Sequence, residues 1–431
     1  MDKIKIVFDA SIIAIAYGSA RSGVFCVATN LIKEFAKNNE IKLSLYAKSS
    51  SKEQAQNAIN SALNVKNLPL IFEHSPIFEH SATKQNKIKH AIKCAIKCLP
   101  APLADSLIDF IKKLLGKKQP AQTAFKDLPK NSEPSSPKYD FFFSPCFKIE
   151  NNLAKQNCIF LHDVIPLIFD EYKNEPGNAW FFELLADLKS DDICFSNSTY
   201  TKKDFLKYLP RLKDENIIVT PLACDERFKP ENSAAITAAK EKYKIPENKK
   251  YIFSLCTLEP RKNLIRAVKC FAAFIRKNNI DDLVFVLGGA HWDRFISILE
   301  SEIENLNELK DKILKIGYVD DADQAALYSG ALFFVYTSQY EGFGLPPLEA
   351  MSCGTPVITS NNSSLPEVVG DAGIMIDYDD DEAHIKAYED YYFNENLRAE
   401  NSAKGLAQAR KFSWEKCADI MVEEFKKRIK K

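Results

Sequence analysis

A chain of 431 residues is longer than one hydrophobic core ordinarily serves, so two domains are expected. With 46% hydrophobic and 27% charged residues the composition is that of a soluble globular protein, and 58 basic against 58 acidic side chains leave no global field to draw it to nucleic acid or membrane. The eleven cysteines show neither a CxxC pair nor zinc-ligand spacing, no apolar run reaches a membrane-spanning length, and MDKIKIVFDAS lacks the apolar core of a signal peptide; a cytoplasmic protein with reduced thiols is expected.

The opening IKIVFDASI (4–12) reads as a strand, followed by Ser-Ala-Arg-Ser-Gly-Val (19–24) and a helix to about Lys37, with Val24, Val27, Ala28, Leu31 and Ile32 at helical spacing. Gly23 either permits a tight strand-to-helix turn or lets a ligand approach the helix end. The dinucleotide pattern GxGxxG is absent, which argues against a nicotinamide enzyme. KLSLYA (42–47) is the second strand, so β and α alternate.

Residues 84–118 break the rhythm, with nine Lys against two Asp. Ile88, Ile92, Ala95, Ile96 and Leu99 share one helical face while Lys89, Lys93 and Lys97 share another; after Pro100 and Pro102 a second helix repeats the pattern with Leu103, Leu107, Ile111, Leu114 and Leu115. Such basic amphipathic helices either lie on an anionic membrane surface or pack on the core with their lysines in water. A Pro/Ser-rich loop (119–138) follows, then strands YDFFFSP (139–145) and CIFLHDVIPLIF (158–169). His162-Asp163 falls at the carboxyl end of the latter, where a parallel sheet presents ligand-facing residues, although a lone His with an Asp neighbour also suits a structural role. A strand over 192–196, a helix capped by Ser198 or Thr199, and the strand NIIVTPL (216–222) complete this half. The charged stretch DERFKPENS (225–233) reads as the linker.

The second half begins with the strand KYIFSLC (250–256) and Thr-Leu-Glu-Pro-Arg-Lys-Asn (257–263). Arg261 and Lys262 are expected to open the next helix, the wrong end for cations on dipole grounds, so a bound anion such as a diphosphate is the better reason for them. LVFVLGGAHW (283–292) and KILKIGYV (312–319) are further strands. The strand ALFFVYTS (331–338) then leads into YEGFGLPPLEAMSCGTPVIT (340–359), where Pro346 and Pro347 suit the first turn of a short helix and Gly354 its stop. Backbone N–H groups at that helix end, approachable beside Gly342 and Gly344, make a seat for phosphate oxygens. Glu349, expected in the first helical turn, can accept hydrogen bonds from a vicinal diol such as a ribose, and Glu341 would face whatever the phosphate carries. FSWEKCADIMVEEFKKRIKK (412–431) closes the chain as a helix with Ser413 as N-cap and Trp414, Cys417, Ala418, Met421, Val422 and Phe425 on its apolar face.

PRKN (260–263), GYV (317–319), EGFGLPPLEA (341–350), CGTPVITS (353–360) and SLPEVVGDAG (364–373) follow one another in an order that resembles the retaining, nucleotide-sugar-dependent glycosyltransferases of family 4. SGVFCVATNL (22–31), LHDVIPL (161–167) and FSNSTYTKKD (195–204) extend the resemblance over nearly the whole chain, and HDVIPL with TLEPRKN is similar to bacterial mannosyltransferases of O-antigen and other surface-polysaccharide assembly. The resemblance implies the α/β GT-B architecture: two Rossmann-like domains facing across a cleft, here 1–228 and 229–411, with the helix 412–431 crossing back to the first. It implies a nucleotide-sugar donor, best GDP-mannose and otherwise a UDP- or other NDP-sugar, and a glycan or lipid-linked glycan acceptor; no metal is expected, no nucleic acid on the balance of charge, and a place in the cytoplasm or on the inner face of the membrane. By the same resemblance Lys262 with Arg261 binds the diphosphate, the amides of Gly344 and Leu345 hold the distal phosphate, and Glu349 takes the ribose hydroxyls. Glu341 contacts the transferred sugar, Tyr318-Val319 borders the base, and His162 and Gly23 complete the cleft from the first domain. One departure stands out: many members have Gly-Arg at the end of the first strand of this domain, where this chain has Leu255-Cys256. Two rival classes are a silent scaffold of an assembly complex and an epimerase or hydrolase on the same fold.

Overall fold

The computed structural model describes residues 2–15, 23–63, 68–74, 137–146, 148, 152–173 and 178–430; the basic stretch 84–118 lies outside them. Thirteen strands are described: β1 Ile4–Asp9, β2 Ile41–Ser49, β3 Leu70–His74, β4 Tyr139–Ser144, β5 Ala154–Leu161, β6 Ile193–Ser196, β7 Ile217–Val219, β8 Lys250–Leu255, β9 Leu283–Gly288, β10 Ile313–Gly317, β11 Phe334–Tyr336, β12 Val357–Ser360 and β13 Gly373–Ile376. They form two sheets, ordered β3-β2-β1-β4-β5-β6-β7 and β10-β9-β8-β11-β12-β13. Both orders reverse direction after a central strand, as doubly wound sheets do. By their contacts the residues fall into two compact units, 1–143 with 149–156 and 144–148 with 157–431.

In the first unit β1 pairs in parallel with β2 and β4, Ile6 standing opposite Leu43 on one side and Phe141 on the other. The helix Gly23–Lys37 buries Phe25, Val27, Leu31, Ile32 and Phe35. Phe35 meets Phe8 and Phe143 edge-on, each at 6.2 Å between centroids, in the arrangement that aromatic quadrupoles favour. Gly23 is the first residue of this helix, and among the described residues nothing lies within 4 Å of a Cβ built on it.

In the second unit the strands β8, β9, β11 and β12 read as near-continuous apolar runs because helices cover both faces of the sheet. The helix Leu264–Asn278 buries Leu264, Ala267, Val268, Phe271, Phe274 and Ile275, the 3–4 spacing that its sequence displays. Because the strands run parallel, their carboxyl ends share one edge, and the loops after β8, β9, β10, β11 and β12 gather there. Gly289 shows how closely they gather: its φ is +125° and an added Cβ would stand 1.9 Å from the Cys256 carbonyl oxygen.

The closing helix, Trp414–Ile429, is capped as expected, with the Ser413 hydroxyl accepting the Lys416 N–H. Its Phe425 sits edge-on to Phe195 of β6 at 5.6 Å, and Arg428 donates to the Asn216 side chain and the Glu215 carbonyl. Phe425 is wholly buried. Phe425→Ala is therefore expected to destabilise this unit by about 3–5 kcal/mol, seen as a lower urea midpoint, whereas the same change at exposed Ile429 stays within about 0.5 kcal/mol.

Candidate active site

The helix Leu345–Ser352 begins with its own N–H supply restricted. Of the first four helical amides, those at Pro346 and Pro347 do not exist, and the Leu348 N–H reaches back to the Gly344 carbonyl at 3.3 Å. Among the described residues no side chain caps this end, which leaves the amides of Gly344 and Leu345 as its two donors for an outside acceptor. Gly344 adopts φ +122°, a conformation open to glycine, and Gly354 ends the helix at φ +79°. Glu349 is the fifth residue of the helix, in its second turn and not its first, because the helix opens at Leu345. Its carboxylate accepts the Tyr328 hydroxyl at 2.9 Å. Burial pushes the Glu349 carboxyl up to about 7 against the opposing pull of Tyr328 and Arg227.

Arg261 and Lys262 do not open a helix. They form the 3₁₀ turn Pro260–Lys262, and Asn263 in the left-handed region (φ 59°) separates that turn from the helix Leu264–Asn278. The reason is local: Asn tolerates the left-handed conformation, and its side chain is held by the Tyr378 carbonyl at 2.6 Å. The turn brings both cations to Glu341. Arg261 Nη1 lies 2.8 Å and Lys262 Nζ 2.6 Å from Glu341 Oε1. Arg261 also pairs with Glu259 at 2.6 Å and donates to the Tyr340 carbonyl, and Lys262 also donates to the Tyr336 hydroxyl at 2.6 Å. Burial opposes the Glu341 charge, yet Arg261 and Lys262 outweigh it and hold the carboxyl at about 2.

His162 joins the same place through the backbone. A Cβ on Gly342 would stand 2.1 Å from the His162 carbonyl oxygen, so only glycine admits this approach. Ser198 and Thr201 donate their hydroxyls to the Gly342 carbonyl at 2.8 and 3.0 Å, and the Asn197 amide donates to the His162 carbonyl at 2.7 Å. The His162 ring meets the Pro145 carbonyl at 2.6 Å through Nε2. A carbonyl only accepts, so Nε2 carries the proton; burial lowers the ring's affinity for a second one, which leaves Nδ1 as an acceptor. Asp163, Glu367, Ser363 and Ser364 serve the backbone: Asp163 accepts the Ile165 N–H, Glu367 caps the helix Thr199–Tyr208 at the Thr199 and Tyr200 amides, and the two serines bind the Glu341 amide and carbonyl.

At the ends of β9 and β10, Val319 is buried against Gly288 while Tyr318 is 53% exposed. The Leu255-Cys256 departure brings no cation to the end of β8, and burial pushes the Cys256 thiol up to about 12. Of the expected residues, the site thus unites Glu341, Lys262, Arg261, His162, Gly344 and Leu345, with Glu349 one helical turn further along. Gly23 belongs to the other compact unit. Tyr336, Glu259, Thr201 and Tyr328 are not singled out in the sequence reading, and Ser198, expected as a helix cap, is that cap but also binds the Gly342 carbonyl. Ser-Asn-Ser-Thr-Tyr-Thr (196–201), with more hydroxyls than one cap requires, is the visible sign of the contacts that Ser198 and Thr201 make with Gly342.

A family model described as glycosyl transferases group 1 matches residues 235–407. The O-antigen chain mannosyltransferase B of Escherichia coli is 32% identical over 286 residues, which cover 66% of this chain and 74% of that one. The chain belongs to the group 1 glycosyltransferases. The serotype-specific mannosyltransferase WbdA of Escherichia coli is 31% identical over 281 residues, 64% of this chain but 34% of WbdA. Among solved structures, Anabaena HepE in complex with UDP and glucose superposes with a TM-score of 0.66 at 14% identity, over 98% of this chain and all of HepE. This group 1 glycosyltransferase accordingly has the GT-B fold, and the helix Leu345–Ser352 with its glycine approach lies inside the family match.

The shift at Glu349 has a measurable consequence. Its folded-state affinity for a proton is raised, so the stabilisation it contributes is full below its ordinary value near 4.5 and is lost as pH rises towards about 7. Glu349→Gln is expected to flatten the melting temperature across that interval, where the unmodified protein loses stability; parallel curves for the two proteins contradict the assignment.

Proposed function

We propose that this glycosyltransferase moves mannose from GDP-mannose, with retention of anomeric configuration, to a glycan or lipid-linked glycan acceptor in surface-polysaccharide assembly. The observation that carries the donor reading is the meeting of Glu341, Lys262 and the two free helix-end amides of Gly344 and Leu345 at one sheet edge. Mannose and polysaccharide assembly are supported by the relatives, an O-antigen chain mannosyltransferase and the mannosyltransferase WbdA.

In this reading the distal phosphate sits on the Gly344 and Leu345 amides, Lys262 neutralises the diphosphate, Glu349 takes the ribose hydroxyls, and Val319 with Tyr318 borders the base. Breaking the bond between the anomeric carbon and the phosphate oxygen builds negative charge on the phosphate and oxocarbenium character on the ring. Cation and amides oppose the first charge, and ionised Glu341 stabilises the second while fixing the sugar hydroxyls. The acceptor hydroxyl oxygen bonds to the anomeric carbon on the face the phosphate leaves, and its proton passes to the departing phosphate oxygen. No metal takes part in this scheme. His162, with Nδ1 as an acceptor, orients the sugar or the acceptor hydroxyl.

Among the described residues no helix is long and apolar enough to cross a membrane. Peripheral contact of residues 84–118 with an anionic membrane surface is part of this proposal, carried by the nine Lys against two Asp of that stretch.

Two experiments test these readings. Screened against GDP, UDP and ADP, the protein should gain roughly 3–5 °C in melting temperature with GDP at about 100 times its dissociation constant. A shift with UDP and none with GDP removes GDP-mannose. The full chain should co-sediment with vesicles rich in anionic lipid at low salt and be released at high salt; no binding at low salt removes the membrane contact.

A further inference from the structure

The two neighbouring cations of the 3₁₀ turn are held in different ways, and the difference assigns them different work. Arg261 is buried, and its guanidinium is committed at both tips of its fork: Nη2 to Glu259 at 2.6 Å, and Nη1 to Glu341 at 2.8 Å and to the Tyr340 carbonyl. Its own carbonyl accepts the Gln339 N–H at 2.8 Å, tying the turn to the loop that carries Glu341. Were Arg261 to turn away, the Glu259 carboxylate would lose the one cation paired with it among the described ion pairs, and Glu341 would lose a charge-assisted bond in a buried place.

Lys262 is under no such constraint. Its ammonium has three protons, of which one goes to Glu341 at 2.6 Å and one to the Tyr336 hydroxyl at 2.6 Å, while its charge lies 4.8 Å from the centre of the Tyr336 ring. When it turns, Glu259 and Glu341 both still touch Arg261, and the Tyr336 hydroxyl, itself neutral, stays beside Glu341. The four groups Glu259, Arg261, Glu341 and Lys262 carry two charges of each sign. Anything anionic that enters must therefore draw a cation out of an existing pair, and Lys262 is the one whose departure leaves each carboxylate in contact with a remaining cation, Arg261.

We propose that Arg261, fixed by Glu259, is a positioning residue that holds Glu341 against the transferred sugar, and that Lys262, steadied by Tyr336, is the cation that turns to the donor diphosphate. This inference rests on the nucleotide-sugar reading of the site. It departs from the implication of the family resemblance that Arg261, beside Lys262, binds the donor diphosphate.

The test compares Lys262→Gln with the double variant Glu259→Gln/Arg261→Gln, which removes one charge of each sign and leaves the Lys262–Glu341 pair in place. Calorimetry with GDP, UDP and ADP first identifies the nucleoside diphosphate that the unmodified full-length protein binds. Lys262→Gln is expected to weaken that binding at least tenfold. The double variant is expected to bind it within about threefold of the unmodified protein, yet to turn over the corresponding sugar nucleotide at least a hundredfold more slowly at saturation, so that its loss falls on kcat. A lowered kcat with unchanged diphosphate affinity is a split that general loosening of the fold does not give. The proposal is overturned if the double variant loses diphosphate affinity as severely as Lys262→Gln, or if its kcat is unchanged. Wild-type protein that binds none of the three diphosphates overturns the nucleotide-sugar reading itself, a distinct result seen before any variant is made.

Discussion

Everything at this site depends on one buried carboxylate kept ionised. Glu341 lies beside Arg261, Lys262 and the Tyr336 hydroxyl, and two cations overcome the burial that would otherwise protonate it. A buried ion cluster is a poor way to stabilise a fold, since well-packed apolar side chains of similar volume do as well or better. Charges held at such expense at the carboxyl edge of a parallel sheet are better explained by what they do to a ligand. The cluster also sets the local geometry: the 3₁₀ turn, the left-handed Asn263 and the Arg261 carbonyl bonded to Gln339 all keep the cations facing the loop after β11.

The second constraint is backbone proximity. Gly342 has no room for a side chain because the His162 carbonyl stands against it, and Ser198 and Thr201 fasten its own carbonyl from the other side. The residue before it is Glu341, so contacts that look like packing between β5, β6 and the Glu341 loop also fix the carboxylate's place. Glu367 contributes in the same way, by capping the helix that carries Thr201. The charged group, the histidine and the helix-end amides are thus coupled through a few main-chain atoms.

Much of this was legible in the sequence, and for identifiable reasons. Alternating apolar runs and amphipathic stretches gave the two parallel sheets, since a strand covered on both faces must be apolar throughout. Gly344, Pro346, Pro347 and Gly354 announced the helix Leu345–Ser352 because each removes an alternative backbone conformation. What remained hidden was pairing over long sequence distance. Nothing in PRKN says that a left-handed Asn263 will detach Arg261 and Lys262 from the helix, or that their partner will be Glu341, 79 residues beyond Lys262. Tyr336 read as one more apolar strand residue, and its hydroxyl acquires a role only once Lys262 is beside it. Glu349 falls a turn later than its sequence suggests because two prolines after a leucine suit either start of the helix.

Backbone amide exchange of the full chain, with and without saturating cognate nucleoside diphosphate, tests the central claim most directly. Exchange should slow in the segment holding Gly344 and Leu345 and in the turn 257–263, with the basic stretch 84–118 unchanged. Nucleotide binding with unaltered exchange in both of those segments, or with protection confined elsewhere, would contradict this account of the site.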